Sequence, residues 1–215
     1  MTIAHHPEEE LIAAYAAGAL DLGQHVAIAT HLAACPDCRA FVRALKGVGG
    51  ALIAETPPAP VRADALQRAL ARLSEPPPPP PPPLHPACAD APANLPAFIR
   101  RFEFGRWRQV APRVAMRPIR LPEASPTRVF LLKALAGTKV LEHDHTGFEM
   151  TCVLSGGFSH RGGQFGPGDF DFGDSNTRHQ PHVDDDEDCV SLIAMQGKLV
   201  WKGVVGKLLQ PFIRL

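Results

Sequence analysis

A chain of 215 residues with 22 basic and 22 acidic side chains carries no formal net charge, so no overall field draws it to nucleic acid or an anionic membrane, and either partner would need a local patch. The opening MTIAHHPEEE lacks the basic start and apolar run of a secretory signal, and no stretch reaches the roughly 18 apolar residues that span a bilayer, so a soluble cytoplasmic protein is expected. Five cysteines, an odd number, fit reduced thiols and metal ligands better than a disulfide framework.

From Glu8 to about Leu20 the residues Leu11, Ile12, Tyr15 and Ala19 recur at helical period, with acids in the first turn where the helix dipole favours them. A second helix is predicted from about Leu22 to Ala34 through Val26, Ala29 and Leu32. A third begins at Pro36, a favoured first-turn residue, and runs through Phe41, Val42, Leu45 and Leu52, weakened late by Gly47, Gly49 and Gly50. After a break at Pro57, Pro58 and Pro60, Asp64 to Leu73 forms a short helix with Leu66, Ala69, Leu70 and Leu73 on one face, a stripe expected to complete the module's own core. Pro76 to Pro83 is an unbroken run expected to form a stiff polyproline II spacer of roughly 25 Å rather than a ligand for a proline-recognition domain. Beyond about Leu95 short β-type segments alternate with Gly and Pro: Val129 to Leu132, Thr138 to Leu141, Glu149 to Leu154, Gly168 to Phe172 and Cys189 to Met195. Leu199 to Leu215 reads as a last strand or a short helix. The division expected is therefore a helical domain over 1–75, a proline-rich linker over 76–94 and a β-domain over 95–215, separable by virtue of the linker.

The helical part holds H-x3-C-x2-C. His31 and Cys35 are four apart on one helix face, and Cys38 falls in the first turn of the next helix, where the dipole favours a thiolate. His6, or less favourably His5, supplies a fourth ligand to a closed tetrahedral zinc site with a structural role. A redox C-x-x-C is the alternative, but no preceding strand suggests a thioredoxin-like unit.

The β-part holds Gly137-x5-His143-x-His145-x3-Glu149-x6-Gly156. His143 and His145 alternate on a strand and so point the same way, with Glu149 following a bend. A fourth ligand is expected from PGDFDFGDSNTRHQPH, with His179 preferred over His182. Three imidazoles and a carboxylate suit Zn2+ or another divalent metal, with iron, nickel and manganese all open. Seven arginines between Arg100 and Arg120, interleaved with Phe102, Phe104 and Trp107, suggest the two faces of barrel strands more than a nucleic-acid surface. Asp184 to Asp188 reads as a solvated loop, and Cys88, Cys152 and Cys189 as small buried side chains.

The early histidine followed by HLAACPDCRAFV resembles the zinc-containing anti-sigma domain over roughly Met1 to Ser74. The glycine-framed histidines, with the looser segment around Pro167 to His179, resemble the cupin barrel. In this order the two resemble the ChrR-type zinc anti-sigma factors. That resemblance implies a multidomain α-plus-β protein, a small zinc-bound helical bundle followed by a cupin β-barrel of the jelly-roll kind. It further implies a non-enzyme that inhibits an extracytoplasmic-function sigma factor and releases it on an oxidative signal such as singlet oxygen. The competing expectation is a metal-dependent cupin enzyme, dioxygenase-like, with a helical interaction domain; a DNA-binding zinc module is disfavoured by the slightly acidic first domain.

Overall fold

The computed structural model describes residues 2–80, 92–122 and 124–201. Its helices are α1 (Glu9–Ala16), α2 (Leu22–Ala34), α3 (Pro36–Glu55) and α4 (Ala65–Arg72). α1 is shorter than the periodicity to Leu20 implied, because Gly18 at φ +69° turns the chain and leaves Asp21 free to cap α2. Residues 76–80 have no regular structure; the rest of the proline run, Cys88, and 202–215 of the expected last element lie outside the described residues.

A 3-10 turn at Ile99–Arg101 leads into β1 (Glu103–Phe104), β2 (Arg108–Ala111), β3 (Val114–Arg120), β4 (Arg128–Ala134), β5 (His143–His145), β6 (Phe148–Ser155), β7 (Phe158–His160), β8 (Gly163–Phe165), β9 (Phe170–Gly173), β10 (His182–Val183), β11 (Cys189–Gln196) and β12 (Leu199–Trp201). One antiparallel sheet runs β1-β3-β4-β11-β6-β9 with β2 on β3; β10-β7-β8 and β12-β5 form two small sheets. Among the described residues these sheets do not close into a continuous hydrogen-bonded barrel, which corrects the barrel expectation to a cupin-like β-domain. The strand expected at Thr138 to Leu141 is also absent: Lys139 makes only an isolated bridge to His182. Only Thr138 N–H makes a turn contact, to Leu135 O; Val140 N–H to Pro181 O and Val183 N–H to Thr138 O pair the segment with 181–183 over a length too short for a regular strand.

The central strands are apolar on both faces because both faces are covered. Val129, Leu131, Met150, Cys152, Leu154, Leu192 and Ala194 form one core with Ile12, Val26, Ala27, Ile28 and Leu32 of the helices. Val153, Phe158, Phe165, Val183 and Cys189 form a second core between the large sheet and β7-β8-β10. The helical segment is thus docked on the sheet, with α2 lying across β4, β11 and β6.

Both ends of α2 are tied to the β-domain. The Asp21 carboxylate caps it, accepting from Gly23 N–H at 2.9 Å and Gln24 N–H at 3.2 Å. The same carboxylate accepts the hydroxyls of Ser125 and Thr127, each at 2.7 Å. At the far end the ring of His31 meets the backbone of Gly168.

The stripe on α4 does not complete a core. Leu66, Leu70 and Leu73 are 64%, 54% and 81% exposed, and Val48, Leu52 and Ile53 on the second half of α3 are exposed as well. With the α2 face already spent on the sheet, these two helix faces are left outward.

The arginine-rich segment is built into the β-domain. Arg117 is buried, donates Nε–H to Gly105 O at 2.9 Å and lies over the rings of Phe104 and Trp107 at 5.1 and 5.8 Å. Arg100 holds the entry to the domain through the carbonyls of Pro92, Ala93 and Leu95. In the acidic run Asp184 accepts from Gln164 and Asp188 accepts from Ala136 N–H and Lys133, so both act as turn ties.

Candidate metal centres

His31 near the end of α2, Cys35 at the junction, Cys38 in the first turn of α3 and His6 from the segment before α1 converge. Their proximity follows from local geometry: Cys35 caps α3, its sulfur accepting Cys38 N–H at 3.4 Å, and His31 is one turn earlier. His6 Nδ1 lies 3.5 Å from Cys35 Sγ and 3.4 Å from Cys38 Sγ, and His31 Nε2 lies 3.3 Å from Cys38 Sγ. Zinc bonds of about 2.3 Å to sulfur and about 2.05 Å to nitrogen at a tetrahedral angle set the donors about 3.6 Å apart, so the four residues fit such an ion. His31 Nδ1 faces Gly168 O at 2.8 Å; a carbonyl only accepts, so the proton sits there and Nε2 presents its lone pair to the site. Burial holds His31 neutral down to about 4. Burial and Cys35 push the Cys38 thiol up to about 12, against the thiolate that its helix position alone suggested, so a cation is what would stabilise the ionised pair. His5 is outside this set and stacks on Phe165 at 4.2 Å.

The second centre lies between the large sheet and its covering strands. His143 and His145 come from β5, and an isolated bridge from His143 to His179 brings in the third ring. His179 Nε2 is 3.0 Å from His143 Nε2 and 3.2 Å from His145 Nε2. Imidazole nitrogens about 2.1 Å from one metal lie about 3.0 Å apart at a right angle and about 3.4 Å apart tetrahedrally, a range that brackets both distances. His143 Nδ1 donates to Leu141 O at 2.8 Å, leaving a bare lone pair on Nε2. Nδ1 of His145 and of His179 are buried without a hydrogen-bond partner. Burial lowers all three, with neighbouring imidazoles adding at His145, to about 4, and at His179, to about 3. Three neutral rings facing one another could hold a cation.

Glu149 lines the same cavity from β6 but stands outside the three-imidazole cluster. Its carboxyl is pushed up to about 7, first by burial and then by Asp171, and its Oε1 accepts the Thr151 hydroxyl at 3.3 Å. His182 is directed elsewhere, 40% exposed at the side chain and 3.8 Å from Asp185. Sequence reasoning missed Asp171, whose Oδ2 lies 3.0 Å from His160 Nε2 and 3.8 Å from His179 Nδ1. Gly162 N–H donates to His160 Nδ1, so Nε2 carries the proton and gives it to Asp171, which engages this carboxylate with His160 and leaves it near His179 without a hydrogen bond to that ring. The run Phe170-Asp171-Phe172 carried the signal, an acid alternating with aromatics on a strand.

The remaining cavity wall is apolar, from Phe130, Leu132, Phe158, Ile193 and Met195 among others. Cys189 also faces it and Cys152 faces the helices; burial pushes these thiols up to about 11 and about 12, so both are poor nucleophiles. The framing Gly156 sits at φ +64°, and a β-carbon there would fall 2.3 Å from Asp188 O, so the turn after β6 requires glycine.

A helical module carrying a His/Cys cluster, docked on a cupin-like domain with a histidine cluster, defines a class: two-module proteins with a candidate metal site in each part, whose helices and β-domain share one core. A zinc-finger family model matches residues 9–39, and the model of the ChrR cupin-like domain matches residues 97–198. The anti-sigma-E factor ChrR of Cereibacter sphaeroides is 37% identical over 216 residues, covering 100% of both chains, and the chain belongs to the ChrR family. The crystal structure of Rhodobacter sphaeroides SigE in complex with the anti-sigma ChrR matches with a TM-score of 0.76 and 33% identity, over 91% of this chain and 100% of that one. Among the described residues no helix is long and apolar enough to cross a membrane.

Proposed function

We propose that this chain is an anti-sigma factor that binds an extracytoplasmic-function sigma factor in the cytoplasm and withholds it from RNA polymerase. The observation that carries this reading is the pair of unsatisfied apolar helix faces, Val48, Leu52 and Ile53 on α3 and Leu66, Leu70 and Leu73 on α4, in a chain of this family. Exposed aliphatic residues gathered along a helix face mark a protein interface. The product is a regulator and not an enzyme; the dioxygenase-like alternative gives way to it.

In this reading His6, His31, Cys35 and Cys38 hold a structural zinc, and His143, His145 and His179, with Glu149 from the facing wall, hold a divalent metal. The β-domain is the input: an oxidant such as singlet oxygen alters its imidazole cluster or the apolar chamber beside it, and affinity for the sigma factor falls. A hundredfold loss of affinity needs only about 2.7 kcal/mol of differential interaction between the two states. Residues 1–75 are the inhibitory domain, 76–94 the linker and 95–215 the sensing domain.

The test is affinity capture of the tagged full chain from its native cells, followed by transcription with purified polymerase and the captured sigma factor. Stoichiometric capture and dose-dependent inhibition are expected, and His145→Ala with His179→Ala should retain inhibition while blunting release by oxidant. Absence of any sigma factor from the captured material would refute the reading.

A further inference from the structure

Three donors of the four-ligand site are fixed by helix geometry at the α2–α3 junction, but His6 is not. It lies in a segment without regular structure, residues 2–8, and is the exposed member of the four, the others being buried. Something outside the helices must therefore keep it against the two sulfurs.

The contacts identify that agent. Asp169, 5% exposed, accepts Ala4 N–H at 2.7 Å and His5 N–H at 2.9 Å on Oδ1, and Gly166 N–H at 2.8 Å on Oδ2. Phe170 N–H donates to His5 O at 3.1 Å, so the N-terminal segment covers the start of β9, the edge strand of the large sheet. Ile3 and Ala34 close over Gly168, which sits at φ +93° and where a β-carbon would fall 2.7 Å from Ile3 Cδ1. The carbonyl of Gly168 is the acceptor that fixes His31. Two of the four ligands are thus oriented by consecutive residues of the β-domain, and Asp171, two residues on, stands beside His179 of the other centre.

We propose that Asp169 is a positioning residue for the helical zinc site, acting through His6, and that residues 168–171 are the segment by which the β-domain sets how firmly the helical domain keeps its metal. The proposal rests on the four-ligand site of the preceding section. Its physical content is simple: with the clasp intact His6 returns to the metal faster than water or a chelator replaces it, and without the clasp the exposed corner opens. Because the carboxylate bonds the backbone on the N-terminal side of His6, it need not touch the metal to control it.

The test uses the full chain loaded with Co2+. Thiolate-to-cobalt charge-transfer absorption arises only where sulfur binds the ion, so it reports Cys35 and Cys38 while the imidazole cluster stays silent. Loss of this band in excess EDTA is timed for the parent, Asp169→Ala, Asp169→Asn, His6→Ala and the Asp169→Ala/His6→Ala pair. Removing an outer partner of a ligand lowers metal retention about 10- to 100-fold, so Asp169→Ala should lose the band at least about tenfold faster. Asp169→Asn, whose amide can match only one of the two sets of donors, should also accelerate the loss, and it carries the test if the alanine variant does not fold. The double variant should be no faster than His6→Ala alone, which a general loosening of the fold would not produce. Decay within twofold of the parent, or a full additional acceleration in the His6→Ala background, overturns the proposal. Absence of the band from the parent refutes the four-ligand site itself.

Discussion

The leucines of α4 give the sharpest test of the interface. Burying a whole leucine side chain is worth roughly 1.5–3 kcal/mol, and Leu66 and Leu70 are still 64% and 54% exposed. Each therefore has about 1–2 kcal/mol left to gain from a partner. Truncating both to alanine removes most of that, about 2–3 kcal/mol, which corresponds to a Kd weakened roughly 30- to 150-fold. Because neither residue is in the core, the free protein should melt unchanged, within the roughly 0.5 kcal/mol typical of surface substitutions. Isothermal titration of the captured sigma factor with the parent and with Leu66→Ala/Leu70→Ala measures the first quantity, and calorimetric melting the second. A Kd within threefold of the parent would remove α4 from the interface; a large fall in melting temperature would mean that the stripe supports the fold.

Other consequences are equally direct. Cys35→Ala or Cys38→Ala should lose the zinc of the helical site and, since structural zinc contributes on the order of 10 kcal/mol in small modules, should lower both helicity and melting temperature; unchanged melting would contradict a structural role. Asp21→Ala should cost about 1–2 kcal/mol in urea unfolding as a lost cap. Although burial alone would raise it, the Asp21 carboxyl is held below its ordinary range by Thr127, Ser125 and the N–H groups of Gln24 and Gly23. Its contribution is accordingly present above about pH 4 and lost as pH falls through the depressed value, so the gap between parent and Asp21→Ala should close in acid. In the metal-free chain His145 and His179 stay neutral to about 4 and about 3, whereas unfolded imidazoles take up protons near 6.5. Stability should therefore fall as pH drops from about 6.5 toward 4, and replacing both rings by alanine should flatten that slope.

The helices and both histidine motifs were legible because their signals are local. His31, Cys35 and Cys38 fall within eight residues around one helix junction, and His143 and His145 within three on one strand. What escaped was long-range. Ser125 and Thr127 meet Asp21 across 104 and 106 residues, and Asp169 meets Ala4 across 165; no periodicity connects such partners. The α4 stripe misled for a related reason: amphipathicity says that a face will be covered, not by which chain. The proline run suggested separable parts, yet Val26, Ala27 and Ile28 are spent on β4, β6 and β11, a docking that the composition of the linker does not encode. Thr138 to Leu141 had the residues of a strand, but its pairing with 181–183 is confined to an isolated bridge at Lys139 and His182.

The span from Ala4 to Asp169 also orders events in time. A ribosome delivers the helices first, at about 5–20 residues per second, and the carboxylate that clasps the first residues emerges only after a further 165 have been joined. For roughly 6–26 s at that rate a nascent chain carries its two thiols and His31 without the support of the sheet. Contacts between residues so far apart in the chain form late and slowly, so the clasp on the segment of His6 closes only after β9 has been made. A site built this way matures from a later-made part of the chain back to an earlier one.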